Sequence, residues 1–122
     1  MDWHRFKLKH YSSDNIFAEV TVAPDSPWFS GHFPGSPILP GMAIISMVFD
    51  AIQRSRRTPL TIAGLKKVRF KRVVEPDDRI DLKVTRSEND PFSYFFQVTC
   101  SGEVACTGTM TTAPSSRQID KT

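Results

Sequence analysis

Between residues 31 and 41 the chain reads Gly31-His32-Phe33-Pro34-Gly35-Ser36-Pro37-Ile38-Leu39-Pro40-Gly41, with three prolines and three glycines in eleven residues around one histidine. Proline fixes φ and glycine admits backbone paths closed to other residues, so this segment specifies a stiff, irregular track. The side chain held on it is His32, and an imidazole whose ordinary pKa lies near neutrality can take up and return a proton. Downstream stand Ser46 and Asp50. On a helix that spacing puts both on one face, one turn or about 5–6 Å apart. A serine there can donate a hydrogen bond or hold a water, and a carboxyl in apolar surroundings can stay protonated and act as an acid. The other histidines, His4 and His10, lie in a polar N-terminal stretch with no partnering motif and read as surface residues. Cys100 and Cys106 match no metal-ligand spacing and read as small buried hydrophobes.

The elements that must position these groups follow from hydrophobic period. From Gly41 to Gln53 the chain is nearly continuously apolar, too long for a strand, and Pro40 suits a helix start. The spacing predicts a helix that must be enclosed. Elsewhere apolar and polar residues alternate, the two-residue period of strands. Ile16, Ala18, Val20 and Val22 share one parity, as do Ile80, Leu82 and Val84. So do Phe92, Tyr94, Phe96, Val98 and Cys100, and Val104, Cys106 and Met110 are placed together on the last strand. The stretch from Leu65 to Val74 reads as another strand, with Val68 and Phe70 inward and Lys67, Arg69 and Lys71 outward. Turn residues at Pro76-Asp77-Asp78, Asn89-Asp90-Pro91 and Ser101-Gly102-Glu103 join these strands closely, which predicts an antiparallel meander in the second half. A curved antiparallel sheet enclosing one helix is an α+β arrangement. Residues 1–122 read as a single domain, with a polar and disordered tail expected from Ala113 to Thr122.

Composition narrows the function classes. A chain of 122 residues, 39% hydrophobic, holds one core and gains by association with a second copy, so a homodimer or higher oligomer is expected. Arg5, Lys7 and Lys9 precede no apolar stretch of signal-peptide type, and no run approaches membrane-spanning length; a cytoplasmic protein, not a membrane one, is expected. The net charge is only +3, but Arg54, Arg56 and Arg57 cluster, as do Lys66, Lys67, Arg69, Lys71 and Arg72. Such patches suit an acidic partner or are an ordinary solvated face. Nucleic acid is not expected, because neither patch carries an aromatic stacking platform or a helix-turn-helix or zinc-finger pattern.

The segment His32-Phe33-Pro34-Gly35-Ser36-Pro37-Ile38-Leu39-Pro40-Gly41 resembles the 3-hydroxyacyl-acyl-carrier-protein dehydratases, whose signature His-Phe-Pro-Gly-x-Pro-Ile-x-Pro-Gly before an apolar helix is matched at every fixed position. The resemblance continues in residues 67–78 and covers roughly Phe17 to Thr112. It implies a hotdog fold, an antiparallel sheet wrapped around one long helix and paired into dimers. It also implies elimination of water from a 3-hydroxyacyl thioester carried on the phosphopantetheine arm of an acyl carrier protein, or as the CoA thioester, with no cofactor or metal of the protein's own. On this reading His32 is the base and the Gly41 N–H steadies charge on the thioester carbonyl. Phe33, Gly35, Pro40 and Met42 lie beside the substrate, and Lys67, Arg69, Lys71 and Arg72 receive the carrier. Phe29, Phe33, Met47 and Phe49 suit an acyl tunnel or the core equally well.

In one place the chain departs from that pattern. Family members carry Glu or Asp five residues beyond the glycine corresponding to Gly41, and here Ser46 stands there. Loss of general acid catalysis costs about 10² to 10⁴ in rate. Asp50, acting through a water on Ser46, is one candidate for the missing acid; a structural role for Asp50, with Ser46 bonded back to the Met42 carbonyl, is the other. Three functions therefore compete: a hydro-lyase, a catalytically silent acyl-thioester or carrier-binding subunit, and a thioesterase on the same fold, which the proline-rich signature disfavours.

Overall fold

A computed structural model describes residues 5–12, 14–22, 41–75 and 77–115. The elements in chain order are β1 (Arg5–Tyr11), β2 (Asn15–Thr21), α1 (Gly41–Arg54), β3 (Leu60–Phe70), β4 (Arg79–Arg86), β5 (Ser93–Cys100) and β6 (Glu103–Pro114). The strands form one antiparallel six-stranded sheet in the order β1-β2-β4-β5-β6-β3. This is the expected α+β hotdog arrangement, a sheet of alternating strands closing on one apolar helix.

The core lies between the sheet's inner face and α1. Ile16, Ala18 and Val20 of β2, Ile80, Leu82 and Val84 of β4, and Tyr94, Phe96, Val98 and Cys100 of β5 are all buried, as their shared parity predicts. From the helix Ala43, Ile44, Ile45, Met47, Val48, Ala51 and Ile52 meet them. At the helix C-terminus the Ser55 hydroxyl donates to the Ile52 carbonyl at 2.7 Å. The Gln53 side chain accepts from Leu60 N–H at 2.8 Å and donates to the Thr58 carbonyl at 3.0 Å, tying the helix end to the start of β3.

Several expectations are corrected. The N-terminal stretch read as polar surface contains β1, whose Phe6 and Leu8 pack against the core while Lys9 pairs outward with Glu19 at 3.3 Å. The alternation was present in Phe6-Lys7-Leu8-Lys9, but two apolar residues are a short signal. The meander holds for β4, β5 and β6 only: β3 crosses to the far edge and pairs with β6, not β4. β3 also begins at Leu60 and stops at Phe70, where Lys71 and Arg72 turn their N–H groups onto the Ala105 carbonyl at 2.7 and 3.3 Å. Val104 does not share a face with Cys106 and Met110. A bulge at Val98/Thr99 pairs Val104 with the outward Thr99 and leaves both Ala105 and Cys106 buried. At the C-terminus Ala113 and Pro114 belong to β6, opposite Thr61 and Leu60, rather than to a disordered tail; residues 116–122 lie outside the described part.

One stripe of the helix is less buried than the rest. Met42 is 64% exposed, and Ser46, Phe49, Asp50 and Gln53 are half-buried. These residues form one stripe at helical spacing, running past β3, whose residues meet Met42, Phe49 and Gln53. Among the described residues no helix is long and apolar enough to cross a membrane.

Candidate active site

Gly41 opens α1, so its N–H is among the four that no helical carbonyl can satisfy, and it sits at the positive end of the helix dipole. Opposite it stands Phe70, the last residue of β3. A Cβ built on Gly41 would lie 2.8 Å from Phe70 Cζ and within 3.3 Å of two further ring atoms. Glycine is needed at this helix start because an aromatic ring rests against it. Phe70 pairs with the buried Cys106 and so belongs to the inner face, yet beyond its contact with the helix start it remains 53% exposed.

Between this ring and the first turns of the helix lies a cavity of about 540 Å³, lined by Gly41, Met42, Ile45, Leu65, Val68 and Phe70. Its lining side chains are all apolar, and the backbone amides of the helix start supply its polar end. An apolar slot closed by a positive pole can take an acyl chain and steady negative charge on a carbonyl oxygen. Val68 turns into this space through a bulge between Lys66 and Arg69, with Lys67 held at φ 55°.

Of the expected catalytic and substrate-binding residues, the structure brings Gly41 and Met42 to the cavity. His32, Phe33, Gly35 and Pro40 lie outside the described residues, as does Phe29. Ser46 and Asp50 share the helix stripe that begins at Met42, one turn apart as their spacing predicts. Asp50 does not have the apolar surroundings its acid role was expected to use. Its side chain is 35% exposed, and Arg54 Nε stands 3.4 Å from its carboxylate, with the Arg54 guanidinium in turn 4.4 Å from the Phe6 ring centre. Met47 is fully buried in the core, and Phe49 packs against it.

The four residues expected to dock a carrier do not act as one group. Lys67 and Arg69 lie together on the outer face of the sheet, lining a second depression, whereas Arg72 is engaged by the Glu103 carboxylate and Lys71 is exposed beyond the end of β3. Sequence reasoning missed Ile45, Leu65, Val68 and Phe70 as cavity residues. The signal was there in Lys-Lys-Val-Arg-Phe-Lys, where large apolar side chains alternate with cations, but alternation reports a face and not whether anything covers it.

Away from the cavity, burial and pairing shift a few titratable groups. Burial pushes the Cys106 thiol up to about 11, and burial, then a hydrogen bond to Asp78 at 3.2 Å, raises Cys100. Both thiols are free and buried. The hydrogen bond from Lys9 holds the Glu19 carboxyl below its ordinary value. Among the described residues no group of His, Cys, Asp and Glu is placed to hold a metal ion. His10 lies on the surface, its ring tilted against Phe17 at 6.0 Å.

Comparison with known proteins places this geometry. The chain is 33% identical over 109 residues to a protein of Oenococcus oeni named 3-hydroxyacyl-[acyl-carrier-protein] dehydratase FabZ, covering 81% of this chain and 78% of that one. It is 34% identical over 86 residues to the protein of the same name from Syntrophobacter fumaroxidans, covering 64% of this chain and 58% of that protein's length. In fold it matches a chain of the dehydratase heterocomplex ApeI:P from Xenorhabdus doucetiae with a TM-score of 0.76, at 23% identity over 86% of this chain and 92% of that one. The pattern that defines the ApeI-like proteins, described as ApeI dehydratase, matches residues 8–109, and the chain therefore belongs to the ApeI-like dehydratase family.

Proposed function

We propose that this protein eliminates water from a 3-hydroxyacyl thioester presented on phosphopantetheine, as part of fatty acid or related acyl-chain biosynthesis. The observation that carries the reading is the apolar cavity ending at the N-terminus of α1, in a chain of a dehydratase family. The acyl chain lies along Met42, Ile45 and Val68, and the thioester carbonyl accepts from the Gly41 N–H. His32 takes the proton from the carbon beside that carbonyl, the electron pair forms the new carbon–carbon double bond, and the 3-hydroxyl departs as water once it gains a proton. Following absorbance of an enoyl thioester tests this directly. The reading predicts hydration or dehydration that falls about 10²-fold or more in His32→Ala; equal rates for the two proteins would reject it.

The proton for the departing hydroxyl is the weak point of the chain, and one observation favours a second reading. Asp50 is paired with Arg54 and Ser46 cannot serve as a strong acid, so the chain alone provides a binding pocket with a poor acid side. On this reading it is an acyl-thioester or carrier-binding subunit that holds substrate without turning it over. Ser46→Glu separates the two. A gain of about 10² or more in turnover marks a pocket lacking only its acid, and no gain in a variant that still binds acyl carrier protein marks a binding subunit. Asp50→Asn with unchanged turnover would dispose of a relay through Asp50.

The edge of the sheet supports a homodimer as the working form. Among the described residues the eleven-residue β3 is an edge strand with no neighbour on its outer side, and its inward Ile62, Leu65 and Phe70 are 38%, 41% and 53% exposed. Long edges with apolar side chains pair with another strand unless something blunts them, and a second copy's β3 would extend the sheet and cover the cavity's open side.

A further inference from the structure

We infer that the outer face of the sheet, opposite the cavity, is the landing surface for an acidic carrier protein, with Phe95 as its apolar anchor; this rests on the carrier-linked reading above. Two neighbouring rows of outward side chains make the surface. One runs Lys83, Gln97, Thr107, Arg69 across β4, β5, β6 and β3, and the next runs Thr85, Phe95, Thr109, Lys66. Between them lies an open depression of about 460 Å³ with no carboxylate among its lining residues. Phe95 stands in it 55% exposed, although every other β5 aromatic is half-buried or buried.

The β3 bulge builds the cationic side of this surface. Strict alternation would send Lys66 and Val68 one way and Lys67 and Arg69 the other. With Lys67 at φ 55°, a conformation L residues with a Cβ rarely adopt, Lys67 and Arg69 line the depression and Lys66 pairs on the same face with Thr109, while Val68 turns inward to the cavity. Lys83 closes the opposite side. An exposed aromatic ringed by cations and hydroxyls, on an open face rather than in a closed pocket, fits a protein surface that presents carboxylates around an apolar residue. The same bulge shapes both faces of the sheet, turning Lys66, Lys67 and Arg69 outward and Val68 to the cavity.

The test titrates fluorescently labelled phosphopantetheinylated acyl carrier protein into wild type, Phe95→Ser and Lys83→Glu, alongside turnover of a carrier-free N-acetylcysteamine enoyl thioester. Each variant is expected to weaken carrier binding at least 10-fold and to leave carrier-free turnover unchanged. Rising salt should weaken wild type more than Lys83→Glu. Gln97→Glu, which adds a negative charge with almost no change in size, repeats the measurement should Phe95→Ser unfold, and Arg57→Glu on the other basic cluster should leave binding unaltered. Carrier binding unchanged in Lys83→Glu and Gln97→Glu, or no binding by wild type, overturns the inference. Absence of carrier-free turnover in wild type would instead remove the catalytic reading, and the binding measurements would still decide the docking surface.

Discussion

The two edges of the sheet are built on opposite terms. At the β1 edge the apolar residues Phe6 and Leu8 fold onto the core, a bulge interrupts pairing after Leu8, and Lys9 points outward to Glu19. At the β3 edge the apolar Ile62, Leu65 and Phe70 stay exposed along a longer strand. Both edges carry bulges and lysines, which protect an edge from pairing; they differ in length, seven residues for β1 and eleven for β3, and in the apolar side chains left exposed along β3. Both edges have alternating sequences, yet among the described residues the apolar side chains of one pack on the core and those of the other stay exposed. The β3 edge also carries three of the six residues that line the cavity. In the proposed homodimer a second copy's β3 would therefore complete the sheet and cover the site together.

The largest expected effect breaks that asymmetry. Leu65→Asp with Ile62→Asp should convert a dimer to a monomer on size-exclusion chromatography with light scattering and abolish turnover. Lys7→Asp at the β1 edge should leave the oligomer intact. Equal behaviour of the two would remove the distinction between the edges. Next in size is a pair of glycines beside β3. A Cβ on Gly108 would meet Phe96 Cζ at 2.7 Å and Val68 Cγ2 at 3.0 Å, whereas at Gly64 nothing lies within 4 Å. Gly108→Ala should cost about 1–3 kcal/mol as overpacking, and Gly64→Ala should gain about 0.4–1 kcal/mol by restricting the unfolded chain; urea denaturation reads both.

How far these features could be foreseen depends on their range. The helix at residues 41–53 and the parity of β2, β4 and β5 were legible because each buries a whole face and local period reports faces. The position of β3 was not. Its short link to β4 suggested a hairpin, but β3 pairs with β6 across more than thirty residues of chain, a choice made by packing rather than by turn chemistry. The bulges at Lys66–Arg69 and Val98/Thr99 each shift parity by one residue, which no alternation rule anticipates. At the site, Gly41 and Met42 could be placed from the motif, while Asp50 was expected among apolar side chains. That Arg54 would face it was readable from the i,i+4 spacing, but the anchoring of Arg54 by Phe6 depends on β1, an element too weakly patterned to be seen.

Smaller effects sharpen the contrast between the closed interior and the open edge. In the folded state burial favours the protonated Cys106 thiol, its value moving from 9.0 to about 11. A raised value adds stability that is full below the ordinary thiol pKa and is lost as pH climbs from 9 toward 11. Cys106→Ala should be less stable than wild type at pH 8 through its lost packing, and the gap in urea midpoint should narrow by pH 10.5, where wild type loses stability because only its unfolded thiol ionises freely. An unchanging gap would mean the thiol is not shielded. Arg54→Ala should cost about 1 kcal/mol, since it removes both the contact with the Phe6 ring and the pairing with Asp50 on a partly exposed surface. The loss should appear as faster hydrogen exchange in β1 and not in β3.

The smallest expected effect concerns two hydroxyls of the closed interior. Tyr94 is 2% exposed, and among the described residues its hydroxyl has no hydrogen-bond partner. Thr112, equally buried on the next strand, donates its hydroxyl to the Phe92 carbonyl at 3.0 Å. A bonded buried hydroxyl contributes about 1 kcal/mol, whereas an unbonded one contributes only the cost of leaving water. Thr112→Val should accordingly lower stability by about 1 kcal/mol, and Tyr94→Phe should leave it unchanged or raise it slightly. Burial raises the Tyr94 pKa, in keeping with a phenol that nothing solvates. If Tyr94→Phe proved as costly as Thr112→Val, the hydroxyl must have a partner in the working assembly, and the interior would not be finished within one chain after all.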